Sequence, residues 1–134
     1  MDQTLKKLIF LFLAVMMLTA CGQDIENNQG AAYVNITAEE AKEIMDTEEG
    51  YVILDVREQD EYDAGHISGA ILIPYTQIEA KANEMLPDED QLILVYCRSG
   101  RRSKIAAEAL AELGYTNIKE FGGILDWPYE VEKP

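Results

Sequence analysis

The chain has 134 residues, 25 of them acidic and 11 basic, for a formal net charge of −14. Hydrophobic residues at 48% and charged residues at 27% are globular values, so wholesale disorder is excluded, and the length allows one domain with an appendage. The acidity argues against nucleic acid as a partner, and two cysteines with one histidine exclude a disulfide-dense scaffold, a four-cysteine zinc site and a His-rich metal site.

In chain order, Lys6 and Lys7 precede an uncharged run from Leu8 to Ala20. Thirteen residues are too short for an untilted bilayer span, which needs roughly 20. They match the charged start and short apolar stretch of a secretory signal. The run ends in Leu18-Thr19-Ala20-Cys21, which resembles a bacterial lipoprotein signal. The resemblance implies cleavage after residue 20 and lipidation of Cys21. An uncleaved anchor or a buried helix is the plainer alternative. Loss of residues 1–20 removes Asp2, Lys6 and Lys7, leaving 24 acidic and 9 basic residues and a charge of −15. Only Cys97 then remains as a free thiol. Residues 21–32, with Gly, Asn and Gln and little apolar content, read as a tether, and 33–134 as the domain.

Within the domain, Tyr33–Ile36 is expected as a short strand. Thr37 and Glu40 form a capping box for a helix whose buried face carries Ala38, Ala41, Ile44 and Met45. Tyr51–Val56 reads as a strand buried on both faces. Glu58–Ala64 is expected as a short polar helix or turn, and Ala70–Ile73 as a strand stopped by Pro74. Thr76 and Glu79 suggest a second capping box, for a helix burying Ile78, Ala82, Met85 and Leu86. Gln91–Tyr96 is a further buried strand. A helix from about Ser103 to Leu113 is expected to turn Ile105, Ala106, Ala109, Leu110 and Leu113 inward and to end at Gly114. Asn117–Phe121 is the last strand, followed by Gly122-Gly123 and a short helix bearing Trp127. Strands alternating with helices predict an α/β domain with a mainly parallel sheet.

In such sheets ligands bind beyond the carboxyl ends of strands. There the strand 91–96 runs into Cys97-Arg98-Ser99-Gly100-Arg101-Arg102-Ser103. Backbone N–H groups of a tight loop before a helix can converge on an anion, and the helix dipole and arginines stabilise a thiolate. Gly100 permits the positive φ that curls the loop. Arg98, Arg101, Arg102 and Lys104 are four of the nine basic residues of the mature chain, gathered within seven positions. A cysteine after a strand is by itself most often a buried filler. The arginines and glycine that follow favour a nucleophile.

The segments Asp55-Val56-Arg57, Glu61-Tyr62, Gly65-His66-Ile67, Gly69-Ala70 and Pro74, with the loop 97–103, Gly122-Gly123 and Trp127, together resemble the rhodanese family over about 34–130. The resemblance implies a three-layer fold with a five-stranded, mainly parallel sheet flanked by helices. It implies sulfur transfer through a Cys97 persulfide, with no metal or organic cofactor. Cys97 is then the catalytic residue, and Arg98, Ser99, Gly100, Arg101, Arg102 and Ser103 bind the substrate. The partners would be a small anionic sulfur donor, such as thiosulfate, and a thiol or cyanide acceptor. Asp55, Arg57, Glu61 and His66 are read as structural, with Arg57 able to pair with Glu61 at i+4 and His66 fixing its loop rather than forming a Cys–His dyad. The lipid anchor would place the protein on the extracytoplasmic side of a bacterial membrane.

Two other readings stay open. Phosphatases and arsenate reductases of related fold carry an arginine six positions after the cysteine, where this chain has Ser103. The shorter loop suits a terminal sulfur better than a phosphate. A non-catalytic module that docks a partner or carries sulfur to one is the second alternative.

Overall fold

The central strand of the sheet is the apolar run that leads to the cysteine. The computed structural model describes residues 32–134. The signal-like residues 1–20 and the tether, apart from Ala32, lie outside them. In chain order the elements are β1 (Val34–Asn35), α1 (Ala38–Thr47), β2 (Val52–Asp55), α2 (Gln59–Ala64), β3 (Ile71–Leu72), a 3-10 turn (Tyr75–Gln77), α3 (Ile78–Met85), β4 (Ile93–Cys97), α4 (Arg101–Glu112), β5 (Ile118–Gly123) and a 3-10 turn (Ile124–Asp126).

The sheet has the order β1-β5-β4-β2-β3, with every pair parallel. The chain winds outward from β2 to β3, returns to β4, and then crosses to β5. The carboxyl ends of β2 and β4, which are neighbours, therefore send their loops in opposite directions, the topological switch point at which open α/β sheets bind their ligands. Parallel strands need both faces covered, and side-chain alternation sorts the residues. On one face Ile93, Val95 and Cys97 pack with Ile78 and Ala82 of α3 and Ala106, Ala107 and Leu110 of α4. On the other, Leu94 and Tyr96 pack with Ala41 of α1, Phe121 and Trp127. The fold is the three-layer α/β arrangement expected.

The first capping box forms as read: Glu40 N–H donates to Thr37 Oγ1 at 3.1 Å, and Thr37 N–H to Glu40 Oε2 at 2.8 Å. The second does not. A 3-10 turn after Pro74 runs directly into α3, so Gln77 precedes that helix and no side chain caps it. Met85 is 40% exposed, because Ile78, Ala82 and Leu86 already define the inward line. Ile105 is likewise 40% exposed, and Ala107 takes the expected inward place. The helix starts at Arg101 with Ser103 turned to the sheet. This sets the buried face at 103, 106, 107 and 110, and puts Ile105 roughly 200° around from Ser103.

Candidate active site

Three strand ends and one helix start build the site. Cys97 closes β4 and is 1% exposed. The loop then doubles back over the sulfur, with Gly100 at φ +104°. That left-handed turn brings Gly100 N–H to 3.0 Å from Cys97 Sγ. Ser103 Oγ lies 3.4 Å from the same sulfur. Burial pushes the thiol up. The Ser103 hydroxyl and the amides of Ser103, Gly100 and Ser99 outweigh it and hold Cys97 below the ordinary thiol value.

The end of β5 passes hard against this loop. A Cβ on Gly123 would lie 2.0 Å from the Arg98 carbonyl oxygen, so only glycine lets the two backbones meet. The same carbonyl accepts from Leu125 N–H at 3.2 Å. Sequence reading singled out the Gly-Gly pair, but the reason for it is visible only in this contact.

The loop arginines divide. Arg98 and Arg101 are exposed, with Arg101 5.9 Å over the ring of Tyr75. Arg102 is committed to Glu61 by a two-pronged ion pair, Nη1–Oε2 at 2.7 Å and Nη2–Oε1 at 2.8 Å. This corrects the expectation of three arginines turned to a donor. Arg102 ties the start of α4 to α2, and its charge reaches Cys97 from that fixed position. Glu61 is held at about 2, first by the Arg102 hydrogen bonds, against the opposing effect of burial.

Glu61 is therefore not the partner of Arg57, and that expectation is also corrected. Arg57 turns back two residues to Asp55, with Nη2–Oδ2 at 2.7 Å and Nε–Oδ1 at 3.0 Å, and donates onward to the Gly65 carbonyl at 2.7 Å. The pair sits at the tip of β2, where Asp55 is fully buried and Arg57 only 5% exposed. Tyr96, one residue before Cys97 but on the opposite face, donates its hydroxyl to Asp55 Oδ2 at 2.6 Å and accepts from Ile67 N–H at 3.1 Å. Sequence reading assigned Tyr96 only to the strand. His66 meets the Tyr62 carbonyl through Nδ1 at 2.9 Å and Glu132 Oε2 through Nε2 at 3.2 Å, and its ring stacks on Tyr62 at 3.8 Å. Both ring nitrogens are thus engaged away from Cys97, and the histidine fixes its loop.

One residue at the site was missed altogether. Glu120 on β5 is 2% exposed, and its Oε1 accepts from Ser103 Oγ at 2.6 Å and Gly122 N–H at 2.8 Å. Ser103 Oγ also lies 3.0 Å from the Gly100 carbonyl and 3.3 Å from that of Gly122. The available signal was parity: Ile118 and Glu120 share the strand face that looks toward α4. A separate pocket of about 590 Å³, on the opposite side of the sheet, is lined by Tyr51, Ile53, Ile67, Trp127 and Tyr129 among others, and by no residue of the 97–103 loop.

Comparison with known proteins agrees with this geometry. The family model described as "Rhodanese-like domain" matches residues 37–129. The chain is 35% identical over 112 residues to the "Putative sulfur carrier protein YrkF" of Bacillus subtilis, covering 83% of this chain and 60% of that relative, less than two thirds of its length. It is 38% identical over 73 residues to the "Thiosulfate sulfurtransferase PspE" of Escherichia coli, covering 54% of this chain and 70% of the relative. Among solved structures, "rhodanese with anions from E. coli" superposes with a TM-score of 0.59 at 34% identity, over 63% of this chain and 99% of that one. With a matching family model across most of the domain and a cysteine loop at the carboxyl end of a parallel sheet, the chain belongs to the rhodanese-like domain family.

Proposed function

We propose that the protein is a sulfurtransferase that moves sulfane sulfur from an anionic donor to a thiol or cyanide through a Cys97 persulfide. The observation that carries this reading is the buried Cys97 sulfur at the floor of the loop, facing the Gly100 amide and the Ser103 hydroxyl and held below the ordinary thiol value. The thiolate attacks the outer sulfur of a thiosulfate-like donor. A Cys97 Sγ–S bond forms, the donor's S–S bond breaks, and sulfite leaves with its electron pair. The loop amides hold the charge of the terminal persulfide sulfur, as an oxyanion hole holds an oxyanion. Arg98 and Arg101 draw the donor in, and Arg102 contributes its charge from its fixed place beside Glu61. An acceptor thiolate or cyanide then takes the outer sulfur and frees the Cys97 thiolate. The cycle proceeds through the cysteine persulfide and calls on no metal or organic cofactor.

Likeness to a thiosulfate sulfurtransferase supports the small-molecule donor, and likeness to a putative sulfur carrier supports a protein thiol as acceptor. The same persulfide chemistry serves both. A non-catalytic docking module would have no use for a thiol held reactive. Incubation with thiosulfate should add one sulfur, about +32 Da, to the peptide carrying Cys97, and cyanide should release it as thiocyanate. A folded protein that gains no mass would overturn the reading.

The lipobox-like segment supports attachment through a lipidated Cys21 on the extracytoplasmic side of a bacterial membrane. Globomycin should then block maturation and leave the full-length precursor. A mature chain that begins with an unmodified residue would exclude the anchor.

A further inference from the structure

A buried carboxylate beside a nucleophilic sulfur calls for a physical reason. Glu120 is 2% exposed, and among the described residues no cation pairs with it. An uncompensated buried charge is costly unless it is hydrogen-bonded or gains a proton. Register places Glu120 opposite Val95, on the strand next to the nucleophile's own. A single hydroxyl, that of Ser103, joins the two acids: 3.4 Å to Cys97 Sγ and 2.6 Å to Glu120 Oε1.

We infer that Glu120 is the internal acceptor of the Cys97 proton, reached through the Ser103 hydroxyl. This deepens, and rests on, the sulfurtransferase reading. In the resting arrangement Cys97 S–H donates to Ser103 Oγ, and Ser103 O–H donates to Glu120 Oε1. Moving each proton one step along gives a Cys97 thiolate that accepts from Ser103 O–H, and a Glu120 carboxylic acid that donates to Ser103 Oγ. One S–H and one O–H bond break, and two O–H bonds form. No charge enters or leaves, nothing is oxidised or reduced, and both hydrogen bonds persist with reversed direction. The Gly122 N–H stays on the same carboxyl oxygen throughout. The relay makes the nucleophile inside the closed loop without a water molecule. When the acceptor takes the outer sulfur, Cys97 leaves as a thiolate and the proton returns along the same chain. Glu120 and Ser103 thus act as base in the first half-reaction and as acid in the second.

Other charged and titratable groups complete the surroundings. Arg102, at the start of α4, feels the charge on Cys97. Tyr33, ahead of β1, has its phenol pushed up by burial and then by Glu108 of α4 and Glu120 of β5. Arg102 favours the thiolate form of Cys97 from its place beside Glu61.

Two acids that share one proton titrate in two macroscopic steps. The test is the pH profile of Cys97 carbamidomethylation by iodoacetamide in the full chain, read at the Cys97 peptide. The wild type should rise in two steps. Glu120→Gln and Ser103→Ala should each collapse the profile to one, and between the wild-type steps Ser103→Ala should react about tenfold more slowly, the change expected for one pH unit. Ser103→Thr, which keeps the hydroxyl, should restore both steps. A single-step wild type, or two steps that survive in Glu120→Gln, would overturn the relay. If Glu120→Gln does not fold, infrared spectroscopy decides. Between the two steps the wild type should show a carboxylic-acid carbonyl band that Ser103→Ala lacks, and its absence from the wild type would end the proposal. Iodoacetamide reads the thiolate with any donor or none, so failure of sulfur transfer, seen as the missing mass gain with thiosulfate, remains a separate result.

Discussion

Two neighbouring strands of one sheet end in buried polar clusters, and the clusters do opposite work. At the tip of β2, Asp55 meets Arg57, the Tyr96 hydroxyl and a backbone amide, and Arg57 reaches on to Gly65. Each charge has an opposite charge, so the cluster is closed and serves the fold. At the tip of β4, Cys97 meets an amide and a hydroxyl but no cation in contact, and the nearest carboxylate is one hydroxyl away. A thiolate there is held in contact only by dipoles, with the charge of Arg102 acting from a distance, and no ion pair ties up its electron pair. Reactivity in this sheet depends on whether the partner of a buried group is a full charge or a set of oriented dipoles.

That contrast can be broken from either side. The largest effect is expected from Cys97→Ser, which should abolish thiocyanate formation while shifting the urea midpoint little, since the isosteric hydroxyl keeps the loop's donors occupied. Asp55→Ala should do the reverse. It strands the buried Arg57 and should cost about 3–5 kcal/mol in urea unfolding, while any activity left in the folded fraction keeps its KM. Gly123→Ala tests the contact that seats the loop. Its methyl would collide with the Arg98 carbonyl, so a loss of about 1–3 kcal/mol together with a fall in kcat is expected. A variant with unchanged kcat would show that the loop adjusts freely.

Smaller effects separate the arginines. Arg98→Ala and Arg101→Ala should each raise KM for thiosulfate roughly two- to fivefold, with the loss shrinking at high salt. Arg102→Ala should instead act on stability and on its pH dependence. Glu61, held at about 2 against an ordinary 4.5, contributes stability that is present in full above about 4.5 and is lost as pH falls toward 2. Urea midpoints taken across that window should fall more steeply in the wild type than in Arg102→Ala. Equal slopes would mean that the ion pair adds nothing.

Much of this molecule was legible because it is written in local patterns. The run 91–96 is apolar at every position but its first, which specifies a strand covered on both faces. Thr37 with Glu40, and Gly114 after α4, mark helix ends through hydrogen bonds and backbone freedom that span only a few residues. The candidate site was legible for the same reason, since cysteine, loop, glycine, arginines and helix start are contiguous. Choices among equivalent partners were not. Glu61 lies four residues from Arg57, a sound helical spacing, yet Arg102 claims it from 41 positions away, and Arg57 closes on Asp55. Thr76 has the spacing of a cap and fails because Pro74 starts a turn one step too early.

Sequence alone therefore determined the class of fold, the strand that leads into Cys97 and the glycine- and arginine-rich loop that follows it, because each depends on neighbours along the chain. Tertiary structure alone decided that Arg102 is tethered to Glu61 while Arg98 and Arg101 stay exposed, that Gly123 must be glycine, and that Glu120 stands one hydroxyl from the sulfur. These last features depend on which strand lies beside which. In a parallel sheet, that adjacency is settled by crossovers that bring residues 97, 103 and 120 to one place while leaving no trace in local composition.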